Sequence, residues 1–211
     1  MTTLSKTSIH PDVIGTVQTI RKIVLAVAVL IIGGLFVFGA SRWSKPVCDF
    51  IDWFGVVLMA VCIIGRAWCT FYIGGRKTHS LVRLGPYSVS RNPLYGFSIL
   101  GAIGVGAQLG AVVPAIACGV FSWLVFTLVA LQEERVLLST HGEAYRDYLA
   151  QVPRFWPRWS LWQDVELLEV RPRMVMTTLG DAMFFLASVP IAELFEHLQR
   201  AGVIPVFLHL P

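Results

Sequence analysis

The chain has 211 residues, of which 55% are hydrophobic and only 14% are charged. Its mean hydropathy of +0.68 excludes an intrinsically disordered chain, because disorder requires low hydrophobicity and high charge. Four cysteines in so long a chain also exclude a small disulfide-rich scaffold. A soluble domain carries roughly 25% charged residues, so this composition indicates an integral membrane protein.

Two apolar stretches in the first third of the chain are long enough to cross a bilayer. Ile23 to Ala40 contains no charge, and Phe50 to Gly74 is interrupted by Arg66. A span needs about 20 apolar residues, so both stretches are predicted membrane helices. Near the other end of the chain, Met174 to Leu194 predicts a fifth membrane helix or, as the alternative, an amphipathic helix on the membrane surface.

The longest uncharged run lies between Arg91 and Glu133 and has 41 residues. As one helix it would be about 60 Å long, twice the thickness of the bilayer core. Gln108 to Gly110 offer a turn near its middle, which predicts a tight hairpin with arms at Leu94–Ala107 and Ala111–Leu131. The predicted fold class is therefore all-α, a polytopic transmembrane helical bundle of about five spans that includes this hairpin at 94–131.

Lysine and arginine orient the predicted spans. With five spans, 13 of the 17 basic residues fall on one side, Arg66 lies within a span, and only Arg42, Lys45 and Arg200 fall on the other side. Basic loops stay in the cytosol, so the N-terminus and the ends of the hairpin are predicted to be cytosolic, in a bacterial inner membrane. The predicted organisation is a cytosolic segment 1–22, a transmembrane core 23–160 and a C-terminal segment 161–211 with the fifth helix.

The charge pattern also limits the partners. The basic side attracts anionic lipid headgroups, whereas no basic stripe alternates with aromatic residues in the manner of a nucleic-acid interface. No histidine pair has metal-ligand spacing, so no metal site is predicted. The proline- and tryptophan-rich stretch 153–173 predicts an aromatic segment at the membrane boundary. The oligomeric state is not predicted.

Two polar clusters flank the uncharged run, at 84–96 and at 132–148. Because a hairpin returns, we expect Arg91 and Asn92 of the first cluster to face Glu133 and Glu134 of the second. Adjacent carboxylates at the end of an apolar helix are costly to desolvate, and polar groups at such depth usually serve a site. We therefore expect an arginine partner or a cationic ligand beside them.

The order of motifs across residues 50–160 resembles one family. Gly-Pro-Tyr, Arg-x-Pro-x-Tyr, a hairpin, Glu-Glu, Gly-x-x-Tyr-x-x-Tyr and Pro-Arg-Phe-x-Pro follow one another as in the isoprenylcysteine carboxyl methyltransferase family, which includes phospholipid methyltransferase-like enzymes. The resemblance makes 23–160 a methyltransferase-like core and implies S-adenosylmethionine as methyl donor, bound at the cytosolic face. The cofactor-binding residues that it implies are Gly85, Pro86, Tyr87, Arg91, Asn92, Pro93, Tyr95, Glu133, Glu134, Tyr145 and Tyr148.

One position departs from the family pattern. The usual Arg-His-Pro-x-Tyr reads Arg91-Asn92-Pro93-Leu94-Tyr95 here, and asparagine forms hydrogen bonds but does not titrate near neutral pH. This position therefore supplies no base that titrates near neutral pH.

The candidate catalytic residues are Arg91 and Glu134. Arg91 suits a carboxylate, and Glu133 or Glu134 suits the amino group or sulfonium of the donor. The tyrosines either contact the adenosine part or anchor the interface. Arg66 either reaches the headgroups or lines the substrate entrance. The expected acceptor is a membrane lipid, or a lipid-like or small apolar molecule, with a carboxylate, amine or thiol.

Two other classes stay open from the sequence. A membrane reductase that uses a nicotinamide cofactor would share the helical hairpin and polar elements near its C-terminus. A non-enzymatic scaffold or transporter subunit would carry more polar residues along several spans than this chain has.

Overall fold

The computed structural model describes residues 32–73 and 81–211. Its helices are α1 Lys45–Ile73, α2 Pro86–Val89, α3 Pro93–Ala107, α4 Val112–His141, α5 Glu143–Gln151, α6 Pro172–Leu186 and α7 Ser188–Arg200, with a 3-10 turn at Trp159–Leu161. Two short strands, β1 Gly39–Ser41 and β2 Leu208–Leu210, pair in parallel. The architecture confirms the predicted all-α bundle, in which the two strands are a minor addition.

Three helical stretches are long and apolar enough to cross a membrane: Lys45–Ile73, Val112–His141 and Pro172–Arg200. The chain is therefore an integral membrane protein, and α3 adds a shorter apolar helix. Most of the predicted span Ile23–Ala40 lies outside the described residues. Its described end is helical at 32–38 and becomes β1 at Gly39, one residue before the predicted end of the span.

The predicted hairpin consists of α3 and α4, which turn at Gln108–Gly110. α3 is about 22 Å long and α4 about 45 Å, because each helical residue rises 1.5 Å. The prediction ended the second arm at Leu131, whereas α4 continues for ten more residues to His141. Glu133 and Glu134 thus lie about two turns before the helix ends.

Close packing of α1 against α3 holds the bundle together. A Cβ on Gly104 would lie 2.6 Å from the carbonyl oxygen of Gly55, so only glycine permits this approach of the two backbones. At the turn, the buried Gln108 side chain donates to the carbonyl oxygen of Asp52 at 3.0 Å. The turn of the hairpin is thereby tied to the start of α1.

The predicted fifth span, Met174–Leu194, is divided into α6 and α7 at Ala187. Pro190 is the physical reason, because proline has no N–H to donate to the carbonyl oxygen of Leu186 and its ring clashes with the preceding turn. α7 ends beside the start of α1, where Lys45 forms ion pairs with Asp49 at 3.0 Å and Glu196 at 3.6 Å.

The bundle has two ends with different contents. The tip end carries the hairpin turn, the strand pair and the first residues of α1, and Ser41 donates to the carbonyl oxygen of Gly110 there at 2.7 Å. Lys45 and Arg200 both pair with Glu196 at this end, as their predicted grouping requires. The opposite end, called the site end below, carries α2, α5 and both polar clusters. The orientation of these ends to the cytosol and the domain boundaries stay predictions.

Candidate functional site

The first wall of the site is the loop at 84–92, which begins with a glycine in an unusual conformation. Gly85 has φ 57° and ψ −131°, a region that side chains rarely permit. A Cβ there would lie 2.3 Å from the ring of Tyr72. Pro86 follows at the first position of α2, where its fixed φ and missing N–H suit a helix start. The Gly-Pro pair thus sets the path of the loop.

A second stretch of chain holds this loop through its backbone. Residues 153–171, called the connecting segment below, link α5 to α6. Arg91 N–H donates to the carbonyl oxygen of Pro153 at 2.9 Å, and Asn92 N–H to that of Arg154 at 3.0 Å. Farther along, Gly85 N–H donates to the carbonyl oxygen of Gln163 at 2.7 Å. The loop is therefore pinned at both of its ends.

A buried carboxylate joins the hairpin to the connecting segment. Glu134 on α4 accepts from Arg154 twice, Nε to Oε1 at 3.0 Å and Nη2 to Oε2 at 2.9 Å. Arg91 Nη2 lies 3.5 Å from the same Oε1. The hydrogen bonds to Glu134 raise the pKa of the Arg154 guanidinium. Two arginines thus offset the cost of burying Glu134, as the sequence predicts.

The neighbouring carboxylate, Glu133, has a different environment. Its Oε1 accepts from the hydroxyl of Tyr95 on α3 at 2.7 Å. The Tyr95 ring stacks on Phe126 of α4, with 5.0 Å between the ring centroids. Stacking fixes the ring and the hydrogen bond fixes its hydroxyl, so α3 and α4 together position Glu133.

Two tyrosines of α5 close the site. Tyr148 is buried and its hydroxyl donates to the carbonyl oxygen of Tyr87 at 2.6 Å, while the Arg83 guanidinium lies 5.4 Å from the centroid of its ring. Burial raises the pKa of Tyr145 to about 12, with the negative charge of Glu134 adding to the shift, and burial also raises the pKa of Tyr148. Both hydroxyls therefore stay protonated at neutral pH.

These elements enclose one cavity at the site end. Its lining combines tyrosines, two hydrogen-bond donors, one carboxylate and aliphatic side chains: Ile73, Leu81, Val82, Tyr87, Arg91, Asn92, Leu94, Tyr95, Glu133, Leu137, Tyr145 and Tyr148. Within the described part of the chain, two buried donor atoms there have no hydrogen-bond partner, Arg91 Nε and Asn92 Nδ2. An unpaired buried donor is costly, so the cavity suits a ligand with acceptor oxygens.

Comparison with known proteins shows which family this arrangement belongs to. The phospholipid methyltransferase family model matches residues 52–144, from α1 to the start of α5. The chain belongs to the isoprenylcysteine and phospholipid methyltransferase-like family of membrane proteins. No solved structure matches the chain significantly.

Two curated relatives align with most of the chain. The cobalt-zinc-cadmium resistance protein CzcN of Cupriavidus metallidurans is 32% identical over 168 residues, which cover 79% of this chain and 77% of the relative. The nickel-cobalt-cadmium resistance protein NccN of Alcaligenes xylosoxydans xylosoxydans is 30% identical over 174 residues, which cover 82% of this chain and 81% of the relative.

Most residues that the methyltransferase-like motifs nominate meet at the cavity. Seven of them line it: Tyr87, Arg91, Asn92, Tyr95, Glu133, Tyr145 and Tyr148. Gly85, Pro86 and Pro93 shape the backbone of its loop, and Glu134 lies behind Arg91 without lining the cavity. Arg66 lies elsewhere, between α1 and α3, where its Nη1 donates to Ser98 Oγ at 2.5 Å. Its assignment to the substrate entrance stays a prediction.

Arg154 is a site residue that the sequence did not predict, although it lies in the Pro-Arg-Phe-x-Pro motif of this methyltransferase-like family. Its distance of 20 residues from Glu134 conceals the pairing, because the chain must first leave α4 and turn through α5. One signal pointed to this pairing: the sequence predicts that an arginine or a cationic ligand lies beside Glu134. Gln163 was also missed, since its contribution is a backbone carbonyl that no side-chain pattern reveals.

Proposed function

We propose that the protein is an S-adenosylmethionine-dependent membrane methyltransferase that acts on a lipid-like or small apolar acceptor. The observation that carries the proposal is the pair of unpartnered donors, Arg91 Nε and Asn92 Nδ2, in a tyrosine-lined cavity that also holds Glu133. The membership of the chain in a methyltransferase family supports the same chemistry.

The cavity lining fits the functional groups of S-adenosylmethionine. The cofactor has a carboxylate, which matches the Arg91 and Asn92 donors, and an ammonium and a sulfonium, which match the Glu133 carboxylate. Its flat adenine and ribose hydroxyls match tyrosine rings and hydroxyls such as those of Tyr145. When bound, the cofactor supplies a methyl group that the positive sulfur already activates.

The residues of the chain would act mainly through position. Arg91 lines the cavity, and its contact with Glu134 holds the guanidinium in position. Aliphatic side chains such as Leu94 and Leu137 exclude water, which strengthens each polar contact inside. Such positioning of reactants accounts for large rate enhancements without a covalent intermediate on the protein.

The acceptor class follows from the surroundings of the cavity. Ile73, Leu94 and Leu137 give the cavity lining an apolar part, and they belong to the apolar helices α1, α3 and α4. We propose that the acceptor arrives from the lipid side and presents a carboxylate, an amine or a thiol. Because basic residues concentrate at the site end, we place this end in the cytosol of a bacterial inner membrane.

The printed names of the relatives suggest a biological setting. Both are resistance proteins, one for cobalt, zinc and cadmium and the other for nickel, cobalt and cadmium. We propose that methylation by this protein likewise contributes to resistance against such metals. A deletion strain complemented with wild type or Arg91→Ala should differ in growth under cadmium or cobalt, and equal growth would contradict the setting.

Calorimetric titration of the purified protein in detergent tests the proposed function. S-adenosylmethionine should bind. Arg91→Ala and Asn92→Ala should each weaken binding by about tenfold or more, because each removes a protein side chain that donates a hydrogen bond to the ligand. Arg146→Ala is the matched control: Arg146 is also an arginine of the site end, but it is exposed and pairs with Glu143 outside the cavity.

The same preparation separates the methyltransferase from the reductase alternative. Ligand binding raises the melting temperature, so S-adenosylmethionine should raise it and nicotinamide dinucleotides should not. No heat and no thermal shift at millimolar S-adenosylmethionine would overturn the proposal.

A further inference from the structure

The connecting segment exposes an unusual amount of apolar surface. Trp156 is 85% exposed, Trp159 64% and Leu167 91%, and Trp162, Val165 and Val170 are also exposed. Six large apolar side chains within fifteen residues exceed what a water-facing loop normally shows. None of them belongs to a membrane-spanning helix. These exposed apolar side chains indicate that the segment contacts another apolar surface.

The contacts of the segment fix its depth relative to the membrane-spanning helices. The ring of Trp162 stacks on Trp68 of α1, with 5.7 Å between the centroids. Trp68 lies five residues before the end of α1, which is about 8 Å along the helix axis. Leu168 packs against the buried cluster that contains Cys69 and Tyr72, and the segment then runs into α6 at Pro172. It therefore lies beside the last turns of α1 and the start of α6, at the ends of two candidate membrane spans.

The same segment holds the site loop. Its backbone accepts from the N–H groups of Gly85, Arg91 and Asn92, and Arg158 N–H donates to the carbonyl oxygen of Val89 at 2.9 Å. Arg154 adds the paired hydrogen bonds to Glu134. A displacement of residues 153 and 154 would therefore shift the backbone of Arg91 and Asn92, which carry the two cavity donors.

We propose that the connecting segment docks on the bilayer boundary through Trp156, Trp159 and Leu167, and that this docking positions Arg91 and Asn92 for the cofactor. The second half of the statement rests on the proposed function. Tryptophan favours the membrane–water boundary, because its ring is apolar and its N–H can reach a polar partner. The lipid bilayer is thus part of what holds the site in shape.

The charges of the segment define the kind of lipid surface it fits. Three arginines, Arg154, Arg158 and Arg171, balance three carboxylates, Asp164, Glu166 and Glu169. With no net charge, docking should depend on the apolar side chains and not on anionic headgroups. This separates the surface from a polybasic patch, which salt would release.

Tryptophan fluorescence in lipid nanodiscs tests the docking. With lipids brominated near the headgroup, Trp156→Phe and Trp159→Phe should each remove emission that bromine quenches, equally in zwitterionic and anionic discs. If the removed emission is instead quenched by aqueous iodide and not by bromine, the segment faces water and the proposal is wrong. This measurement needs no cofactor, so it stands even if the proposed function fails.

A second measurement tests the coupling to the site. In nanodiscs, the double variant Trp156→Ala/Trp159→Ala should bind S-adenosylmethionine about tenfold more weakly than wild type, whereas in detergent the two should bind equally. Trp43→Ala is the control, since Trp43 is half exposed at the tip end and should bind as wild type in both media. Equal affinities of wild type and double variant in nanodiscs would overturn the coupling, and absent binding by wild type would overturn the proposed function instead.

Discussion

Arg154 clamps the carboxylate of Glu134 with two parallel hydrogen bonds, of 3.0 and 2.9 Å. The pair connects α4 to the connecting segment, and Arg91 shares the same carboxylate at 3.5 Å. Arg91 also lines the cavity. Arg154 therefore acts on the cavity indirectly, through Glu134 and Arg91, as a positioning residue. A planar guanidinium matches a carboxylate in a way that an ammonium cannot.

Removing one member of this pair should destabilise the protein strongly. Arg154→Ala leaves Glu134 with only the longer contact to Arg91, and we expect a loss of about 3 kcal/mol in unfolding free energy, typical of a broken buried pair. Arg154→Lys should recover only part of it, because lysine cannot form both hydrogen bonds. Denaturation in detergent measures the loss, and a lysine variant as stable as wild type would contradict the clamp. Arg158→Ala, an exposed arginine of the same segment, is the control.

Gly85 should not tolerate even the smallest side chain. Its φ of 57° disfavours any L-residue, and the Cβ of alanine would lie 2.3 Å from the Tyr72 ring. We expect Gly85→Ala to cost about 1–3 kcal/mol of stability and to weaken cofactor binding, since the strain is relieved by moving the site loop. Thermal unfolding and calorimetric titration measure the two effects.

Gly96→Ala is the matched control for this change. Gly96 is eleven residues away, lies inside α3 and has no atom within 4 Å of an added Cβ. Replacing a helical glycine in open space by alanine raises the stability of the protein by up to about 1 kcal/mol, so this variant should be slightly stabilised. Equal destabilisation of both variants would show that the loss of stability in Gly85→Ala does not come from the backbone conformation of Gly85.

The hydroxyl of Tyr148 should contribute to stability rather than to binding. It donates at 2.6 Å to the buried carbonyl oxygen of Tyr87, so Tyr148→Phe leaves that oxygen without its partner and should cost about 1–2 kcal/mol. Tyr145→Phe is the comparison, because no hydrogen bond of the Tyr145 hydroxyl occurs within the described residues. The free energies of unfolding of both variants test this prediction. Equal losses of stability in Tyr148→Phe and Tyr145→Phe would argue against the Tyr87 contact.

The sequence predicts the features of this protein that depend on local pattern. The 41-residue uncharged run predicts the hairpin because a membrane limits the length of a helix, and the facing of Arg91 and Glu134 follows from the return of the chain. The break at Ala187 was missed although Pro190 was visible, because a membrane span tolerates proline often enough to leave the outcome open.

The pairings that the sequence cannot predict are those made across long separations by backbone atoms or by one of many arginines. Gly85 and Gln163 meet through main-chain groups, which every residue carries, so no residue type marks the contact. Arg154 is one of four arginines between 146 and 171, and only the turn of α5 decides that it reaches Glu134. Tertiary geometry, not composition, selects these partners.

Alkaline pH should weaken the fold through Tyr145. Burial raises its pKa from 10.0 to about 12 in the folded protein. Between these values the unfolded chain loses the proton and the folded protein keeps it, so the folded state binds more protons and stability falls as pH rises. Below pH 10 the Tyr145 hydroxyl is protonated in both states, so it does not make stability depend on pH. Melting temperatures between pH 9 and 12 should fall, and Tyr145→Phe should flatten the fall; identical curves would contradict the assignment.

Asn92 offers a direct test of the one position where the chain departs from the family motif. Its amide Nδ2 is a buried donor that stays neutral, so cofactor affinity in wild type should be nearly constant between pH 5.5 and 7.5. Asn92→His keeps a donor but adds a group that gains a proton near pH 6.5. If the position faces the carboxylate of the cofactor, the affinity of this variant should rise as pH falls through that value.

Asn92→Asp supplies the opposite charge at nearly the same size. Its carboxylate would pair with Arg91 and repel an anionic ligand group, so binding should weaken by about tenfold or more at pH 7.5. Calorimetric titration of the three proteins at pH 5.5, 6.5 and 7.5 compares neutral, cationic and anionic side chains at one position. A flat profile in Asn92→His together with unchanged binding in Asn92→Asp would place the cofactor carboxylate elsewhere, because a charge beside a bound carboxylate must alter its affinity.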